Sequence, residues 1–324
     1  MERRAFLALV SGSLFPAPLA VEAQQTSKSA KLGYLAAGAS PIFNPIRGQL
    51  RERGWIEGQN LTVVFGLWGQ HPERARELAK DLVAANVDVI FAVGPEAAAA
   101  AKEATTTIPI VMLFSVDPVG SGLAKSLVRP GGNVTGLLWD TGADDYSAKM
   151  LEVFTTALPG ARTFAALWNL DYVIHRPYFE AAEAAASRLG RRMVAAGIRA
   201  AKDLESVFRR IKADGAEALI VYVDPLTFAL RDSITTLAMD HRLPTLVTAH
   251  LRFKDALIVF GPHTADMPAR AANFVDRILR GANPSDLPIE QPAKYDLKID
   301  LRVAHVLRVT IPLSLLLRAD QVVE

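Results

Sequence analysis

Cysteine is absent from the chain of 324 residues. No disulfide can staple it, so its cores alone must hold it together, and no cysteine is available to carry a bacterial lipid anchor. An excess of one charge is missing too: 36 basic residues face 34 acidic ones, which leaves no electrostatic footprint for nucleic acid. There is no GxGxxG, no GxxxxGKS/T, no GxSxG and no HExxH, and the histidines at 71, 175, 241, 250, 263 and 305 include no pair four apart. Gly120-Ser121-Gly122 supplies only two of the three glycines of a dinucleotide fingerprint. These absences favour binding without catalysis, and neither a cofactor nor a metal is expected.

Long apolar runs are scarce as well. The opening MERRAFLALVSGSLFPAPLAVEAQQ has two arginines, a short apolar stretch broken by Gly and Pro, and small residues before Gln24. Its apolar part falls short of the ~20 residues that a membrane helix needs. It reads as a signal peptide cleaved after Ala23, with Arg3-Arg4 compatible with a twin-arginine route and a general secretory route equally open. Residues 1–23 are therefore a signal peptide, and the mature protein is expected in the periplasm as a free monomer.

From Lys31 onward two periodicities alternate. Short apolar or β-branched runs such as KLGYLA, VDVIFAV and IPIVMLF are separated by stretches such as PERARELAKDLVAAN, whose apolar residues recur at helical spacing. That is the βαβ pattern of a parallel sheet covered on both faces. After Leu158-Pro159-Gly160 the pattern restarts, and the length suits two lobes of ordinary size. The expected fold is α/β, with two doubly wound parallel-sheet lobes joined by a three-strand hinge. Residues 30–137 with 257–286 form the first lobe, and 138–256 with 287–324 the second. Crossings are expected near Gly136-Leu137, between Ala249 and Ala256, and between Leu287 and Ala293.

The halves also match in detail. VDVIFAV-Gly94-Pro95 and Ile108-Pro109 in one correspond to EALIVYV-Asp224-Pro225 and Leu243-Pro244 in the other. In each, Pro occupies a first helical position, where its missing N–H costs nothing, and Gly94 or Asp224 falls at the N-cap. Ligands of open α/β sheets gather beyond the carboxyl ends of the strands, so both caps belong to functional edges.

Several stretches together carry a family resemblance. They are Gly54-Trp55-x-Glu57-Gly58-Gln59-Asn60, Thr107-Ile108-Pro109-Ile110-Val111, Asp117-Pro118-Val119-Gly120-x-Gly122-Leu123, Arg129-Pro130-Gly131-Gly132-Asn133-Val134-Thr135-Gly136, and the tail from Val275 to Pro288. The chain from residue 31 onward closely resembles ABC transporter substrate-binding proteins of the tryptophan- or aromatic-amino-acid-binding type. The resemblance implies a type I periplasmic-binding fold that closes on an aromatic amino acid or related carboxylate. It also implies an inner-membrane permease and ATPase as partners. The chain departs from the pattern at Gly94-Pro95-Glu96, where many members open the third helix with Gly-Thr or Gly-Ser, and at Asn169-Leu170-Asp171-Tyr172, where Asn-Pro is common.

Each candidate contact has two readings. Asp117 and Asp224, each before Pro, are helix caps by local chemistry, and either could also meet a ligand; Asp224 is placed to receive an ammonium group. Glu96 suits any first helical turn, but facing the cleft it would disfavour a bare carboxylate there and point to a cationic or hydroxylated group. Ser40, Ser115 and Thr248 sit at strand ends, where hydroxyls orient ligands and also build turns. Trp68, Tyr172, Tyr222 and His250 could offer flat surfaces; Tyr222, inside a strand, reads rather as core, and His250 equally as a hinge contact. The candidate ligand contacts are Ser40, Trp68, Gly94, Pro95, Glu96, Ser115, Asp117, Asn169, Tyr172, Asp224, Thr248 and His250. Two rivals stay open: an exported enzyme using Asp117, Glu96 and a histidine, and a sensory ligand-binding partner.

Overall fold

The computed structural model describes residues 29–38, 43–69, 71–248 and 253–324. Its first sheet holds β1 (Ala30–Ala36), β2 (Leu61–Leu67), β3 (Val89–Val93), β4 (Ile110–Ser115) and β5 (Val134–Leu138), all parallel, in the order β2-β1-β3-β4-β5. Helices α1 (Phe43–Glu52), α2 (Ala75–Ala84) and α3 (Pro95–Ala104) connect these strands. The second half repeats the arrangement. Strands β6 (Thr163–Asn169), β7 (Arg192–Ile198), β8 (Ala218–Tyr222), β9 (Thr245–Thr248) and β10 (Ile258–Pro262) lie in the order β7-β6-β8-β9-β10. Its helices are α4 (Ala143–Ala157), α5 (His175–Arg188), α6 (Leu204–Ala213), α7 (Pro225–Ala229) and α8 (Arg231–Asp240). Strands buried on both faces need continuous apolar runs, and β3 (VIFAV) and β8 (ALIVY) supply them.

The chain then exchanges helices between the lobes. After β5 it enters the second lobe as α4, which packs on α5; after β10 it re-enters the first as α9 (Met267–Leu279), which packs on α1 and β5. It returns once more as β11 (Tyr295–Asp300), followed by α10 (Leu301–Leu307), α11 (Leu313–Leu316) and β12 (Gln321–Val323). Because β11 comes back along the path by which β10 left, it pairs antiparallel to β10, and β12 follows it in parallel. The second sheet is therefore mixed rather than wholly parallel.

Two expectations are corrected. Residues 258–262 do not return to the first lobe: β10 hydrogen-bonds to β9 and β11 in the second sheet, so the middle crossing lies at 263–266, beyond the strand. No helix follows Asp117-Pro118. Gly120, Gly122, Pro130, Gly131 and Gly132 interrupt any helical run, and residues 116–133 form successive turns. Asp117 itself has φ 35°, and its Oδ1 accepts the Gly120 N–H at 2.8 Å.

The hinge is tied at the end of β5. Leu138 N–H donates to Glu290 O and Glu290 N–H to Gly136 O, both at 2.9 Å, while the Thr135 hydroxyl donates to Leu287 O at 2.8 Å. Gly136 is required here on two counts. Its φ of 133° lies outside what L side chains adopt, and a Cβ on it would overlap the Met112 carbonyl of the adjacent strand. Gly136→Ala is expected to destabilise the protein by about 2 kcal/mol or more, read as a lower urea midpoint at unchanged slope.

Candidate ligand-binding cleft

A sheet of order 2-1-3-4-5 offers its ligand site beyond the carboxyl ends of the strands, where the order reverses. Two copies facing each other set two such edges across one gap. The β3–α3 turn at Gly94 lies opposite the β6–α5 and β8–α7 turns, and between them is a cavity of about 200 Å³. The first lobe and the hinge supply Val93, Gly94, Pro95, Phe114, Val116 and Trp139 to its lining. Rings dominate the other side: Tyr146, Tyr172, His175, Tyr178 and Tyr222.

Local backbone chemistry aims several of these rings. Phe114 has φ 59°, and the pairing of β4 with β5 slips between Leu113 and Ser115 at this residue. A left-handed non-glycine residue costs about 1 kcal/mol or more, so such a kink inside a buried strand marks a place where side-chain direction matters more than regularity. Phe114 lines the cavity and meets Trp139 edge to face, centroids 5.4 Å apart. Across the gap Tyr172 meets His175 edge to face at 4.9 Å, and His175 lies 5.5 Å from Tyr222. Tyr146 stacks on Phe260 at 5.7 Å and donates to the Phe260 carbonyl at 2.9 Å, which anchors that wall to β10.

Three carboxyl groups surround this apolar space. Glu96 is hydrogen-bonded to its own backbone N–H and, across the gap, to the Tyr172 hydroxyl; burial outweighs both and raises its pKa. Asp140, at the first crossing, accepts from the Tyr178 hydroxyl and from Gly142 N–H, and burial raises it too. Asp224 Oδ1 accepts from the N–H groups of Leu226 and Thr227 at 2.6 and 3.0 Å, and Oδ2 from Asn169 N–H at 3.3 Å; burial again lifts its pKa. His175 moves the opposite way. Burial pushes it down to about 4, partly offset by a hydrogen bond to the Val223 backbone, so the ring is neutral at ordinary pH. Among the described residues no lysine or arginine lines the cavity.

The structure gathers part of the residue set expected from sequence. Gly94, Pro95, Tyr172 and Thr248 line the inner cavity. Glu96 and Asp117 line an outer cavity of about 840 Å³ that shares Pro95, Val116, Ile174 and Tyr178 with the inner one. Asp224 and Asn169 stand behind the wall, joined to each other: Asp224 is 5% exposed and spends its oxygens on capping α7 and on Asn169. Ser115 is wholly buried beneath the Phe114 kink, its Oγ without a partner, and is absent from the lining. Trp68 is corrected to a core residue: it is 5% exposed and packs in the cluster between the first sheet and helices α2 and α3. Ser40 and His250 lie outside the described residues.

Phe114, Trp139, Asp140, Tyr146, His175 and Tyr178 escaped the sequence reading, and Tyr222, read as core, is both buried and part of the wall. Trp139-Asp140 follows directly on a strand expected to cross between lobes, a signal that could have singled it out. Nothing local distinguishes His175 or Tyr178 from ordinary residues of an amphipathic helix.

A cavity between two like sheets whose lobes are linked by three crossings of the chain defines a two-lobed binding protein of the type I periplasmic class. The chain belongs to the ABC transporter substrate binding protein family, whose model matches residues 39–323. Among curated proteins it is 25% identical over 243 residues to the tyrosine-binding protein of Clostridioides difficile strain R20291, covering 74% of this chain and 68% of that one. Among solved structures it is similar to a conserved domain protein from Vibrio cholerae, with 26% identity and a TM-score of 0.80 over 91% of this chain and 100% of that one. It shares its fold with a Streptococcus protein solved in complex with L-Trp, with 23% identity and a TM-score of 0.81 over 91% of this chain and 100% of that one.

The depressed His175 makes a pH prediction. Between its ordinary value of 6.5 and about 4 the unfolded chain binds a proton that the native ring refuses, so stability is full above that window and is lost as pH falls through it. Denaturant titrations at about pH 7 and about pH 5 should show that wild type loses up to about 2 kcal/mol more than His175→Asn over that interval. Equal losses in the two proteins would mean that the ring is not held neutral.

Proposed function

We propose that the protein is the exported solute receptor of an ABC importer and captures a small aromatic molecule between its lobes. One observation carries this reading: rings from both lobes, Phe114 and Trp139 on one side and Tyr172 and Tyr222 on the other, converge on one cavity. Flat apolar surfaces opposed in this way suit another ring, through area burial and edge or offset stacking. The relatives support it, since one is named for tyrosine and another holds L-Trp.

Capture works by closure about the three crossings. A ligand touching both walls favours the state in which they approach, and the population shifts by as much as the ligand prefers that state. Closure excludes water and strengthens each polar contact inside. The closed outline is what an inner-membrane permease with its ATPase would recognise, and release there completes import. The signal-like pattern of residues 1–23 supports a periplasmic location. The rival enzyme reading needs Asp117, Glu96 and a histidine at one point; Asp117 is exposed on the outer cavity, away from His175 on the inner wall.

Thermal unfolding with a panel of aromatic amino acids, aromatic amines and neutral aromatics, beside aliphatic amino acids and sugars, tests the reading. Aromatic compounds should raise the midpoint and the others should not. Trp139→Ala should then weaken the best binder about tenfold or more by calorimetry while leaving the ligand-free midpoint near its original value. A panel in which no aromatic compound raises the midpoint overturns the proposal.

A further inference from the structure

A carboxylate inside this cleft would need a positive partner. Among the described residues no lysine or arginine lines either the inner or the outer cavity. Lys149 and Arg270, which reach neighbours of the rim, are already paired with Asp145 and Glu290, each at 2.7 Å. Helix N-termini could substitute, because their free N–H groups and dipole hold anions.

Among the described helix starts at the cleft, several of those groups are taken by the protein itself or stand beside its own carboxylates. At α3, Pro95 has no N–H and the Glu96 carboxyl accepts from its own backbone. At α7, Pro225 has none and Asp224 occupies the next two. At α5 the His175 and Arg176 N–H groups donate to the Tyr172 and Val173 carbonyls at 3.1 and 3.3 Å, and Pro177 has none. The start of α4 has Asp140 before it and Asp144 and Asp145 in its first turn.

Negative groups, by contrast, are plentiful. Glu96, Asp117, Asp140 and Asp144 line the outer cavity, and among the described residues none of the four has an ion-pair partner. A second feature points the same way. His175 is 8% exposed, lines the inner cavity, and its Nδ1 has no hydrogen-bond partner. That nitrogen lies 3.7 Å from Asp224 Oδ2, so this side of the wall too carries a buried carboxylate. The described walls thus offer carboxylates and rings, and their side-chain donors are neutral, among them the tyrosine and threonine hydroxyls and the Trp139 indole.

We propose that the captured solute is an aromatic amine that carries an ammonium group and no carboxylate, with its ring against Trp139 and the tyrosines and its ammonium toward Glu96 and Asp140. This rests on the aromatic-capture reading above and narrows it. The ligand supplies a positive charge that no described lining residue carries, and the faces of the surrounding rings attract it as well. Burial raises Glu96 and Asp140, and a cation beside them opposes that shift, so binding draws both back toward the ionised form.

Calorimetry on the full mature chain with two sets of four probes decides the matter. One set is tyramine, tyrosine, 3-(4-hydroxyphenyl)propionate and 4-ethylphenol; the other is tryptamine, tryptophan, indole-3-propionate and 3-ethylindole. Within each set the ring is constant, and the amine and carboxylate are present or absent independently. In the set whose ring fits, the amine should bind about tenfold or more tighter than both the amino acid and the neutral compound, and the propionate should bind weakest. The double change Glu96→Gln with Asp140→Asn should lower the amine's advantage over the neutral compound about tenfold, a ratio that a merely structural loss, weakening both compounds alike, would not move. An amino acid that equals or exceeds its amine, or a propionate that exceeds its neutral analogue, overturns this proposal and leaves aromatic capture standing. Failure of all eight overturns both.

Discussion

Parallel strands oblige the chain to leave a sheet at one end and return at the other, so every strand of such a sheet presents its carboxyl end on the same edge. In this protein that obligation is met twice with the same strand order, and the edges are turned toward each other by three crossings of the hinge. The cleft is a consequence. The tight approach of β5 to β4 at Gly136 and the bonds linking Gly136 and Leu138 to Glu290 hold the place where two of those crossings run side by side. The exchange of α4 and α9 between lobes follows from the same path, because the helix after each lobe's fifth strand is delivered to the other lobe.

Within that frame the chemistry of the cleft is set by what has been removed from helix ends as much as by what lines the walls. A strand followed by Pro at the first helical position loses one N–H outright. Glu96 and Asp224 then occupy the N–H groups that follow, each from its own chain segment. The two lobes reach the same electrostatic result by different residues, a first-turn glutamate in one and an N-cap aspartate in the other. The phenols of Tyr172 and Tyr178 donate to Glu96 and Asp140, so the polar groups at the rim also position the rings beside them.

Much of this was legible in the residues. The alternation of apolar runs and helical stretches, the restart after Gly160, and the matching of Gly94-Pro95 with Asp224-Pro225 foretold two doubly wound lobes, because burial on both sheet faces and helix-start chemistry are local demands that leave local traces. Gly94, Pro95 and Tyr172 on the inner wall were reachable by the same logic, since strand ends and the turns after them are where such sheets bind. Trp68 follows a strand in the same way and is nevertheless core, because β2 is an edge strand and its end packs under α2 and α3 away from the gap. Asp117-Pro118 has the local form of a helix start, yet the glycines that follow leave only turns.

By itself, then, the sequence determined the layered α/β class, the duplication and the capped turns, all of which depend on contacts within a few residues or on periodicity along one element. The tertiary structure alone decided which side chains face the gap. Phe114 reaches it through a left-handed kink that no pattern announces, Trp139 and Asp140 through the direction of a crossing, and His175 and Tyr178 through the face that α5 turns inward. Those choices depend on how two lobes far apart in sequence are set against each other, and short-range periodicity carries no record of that.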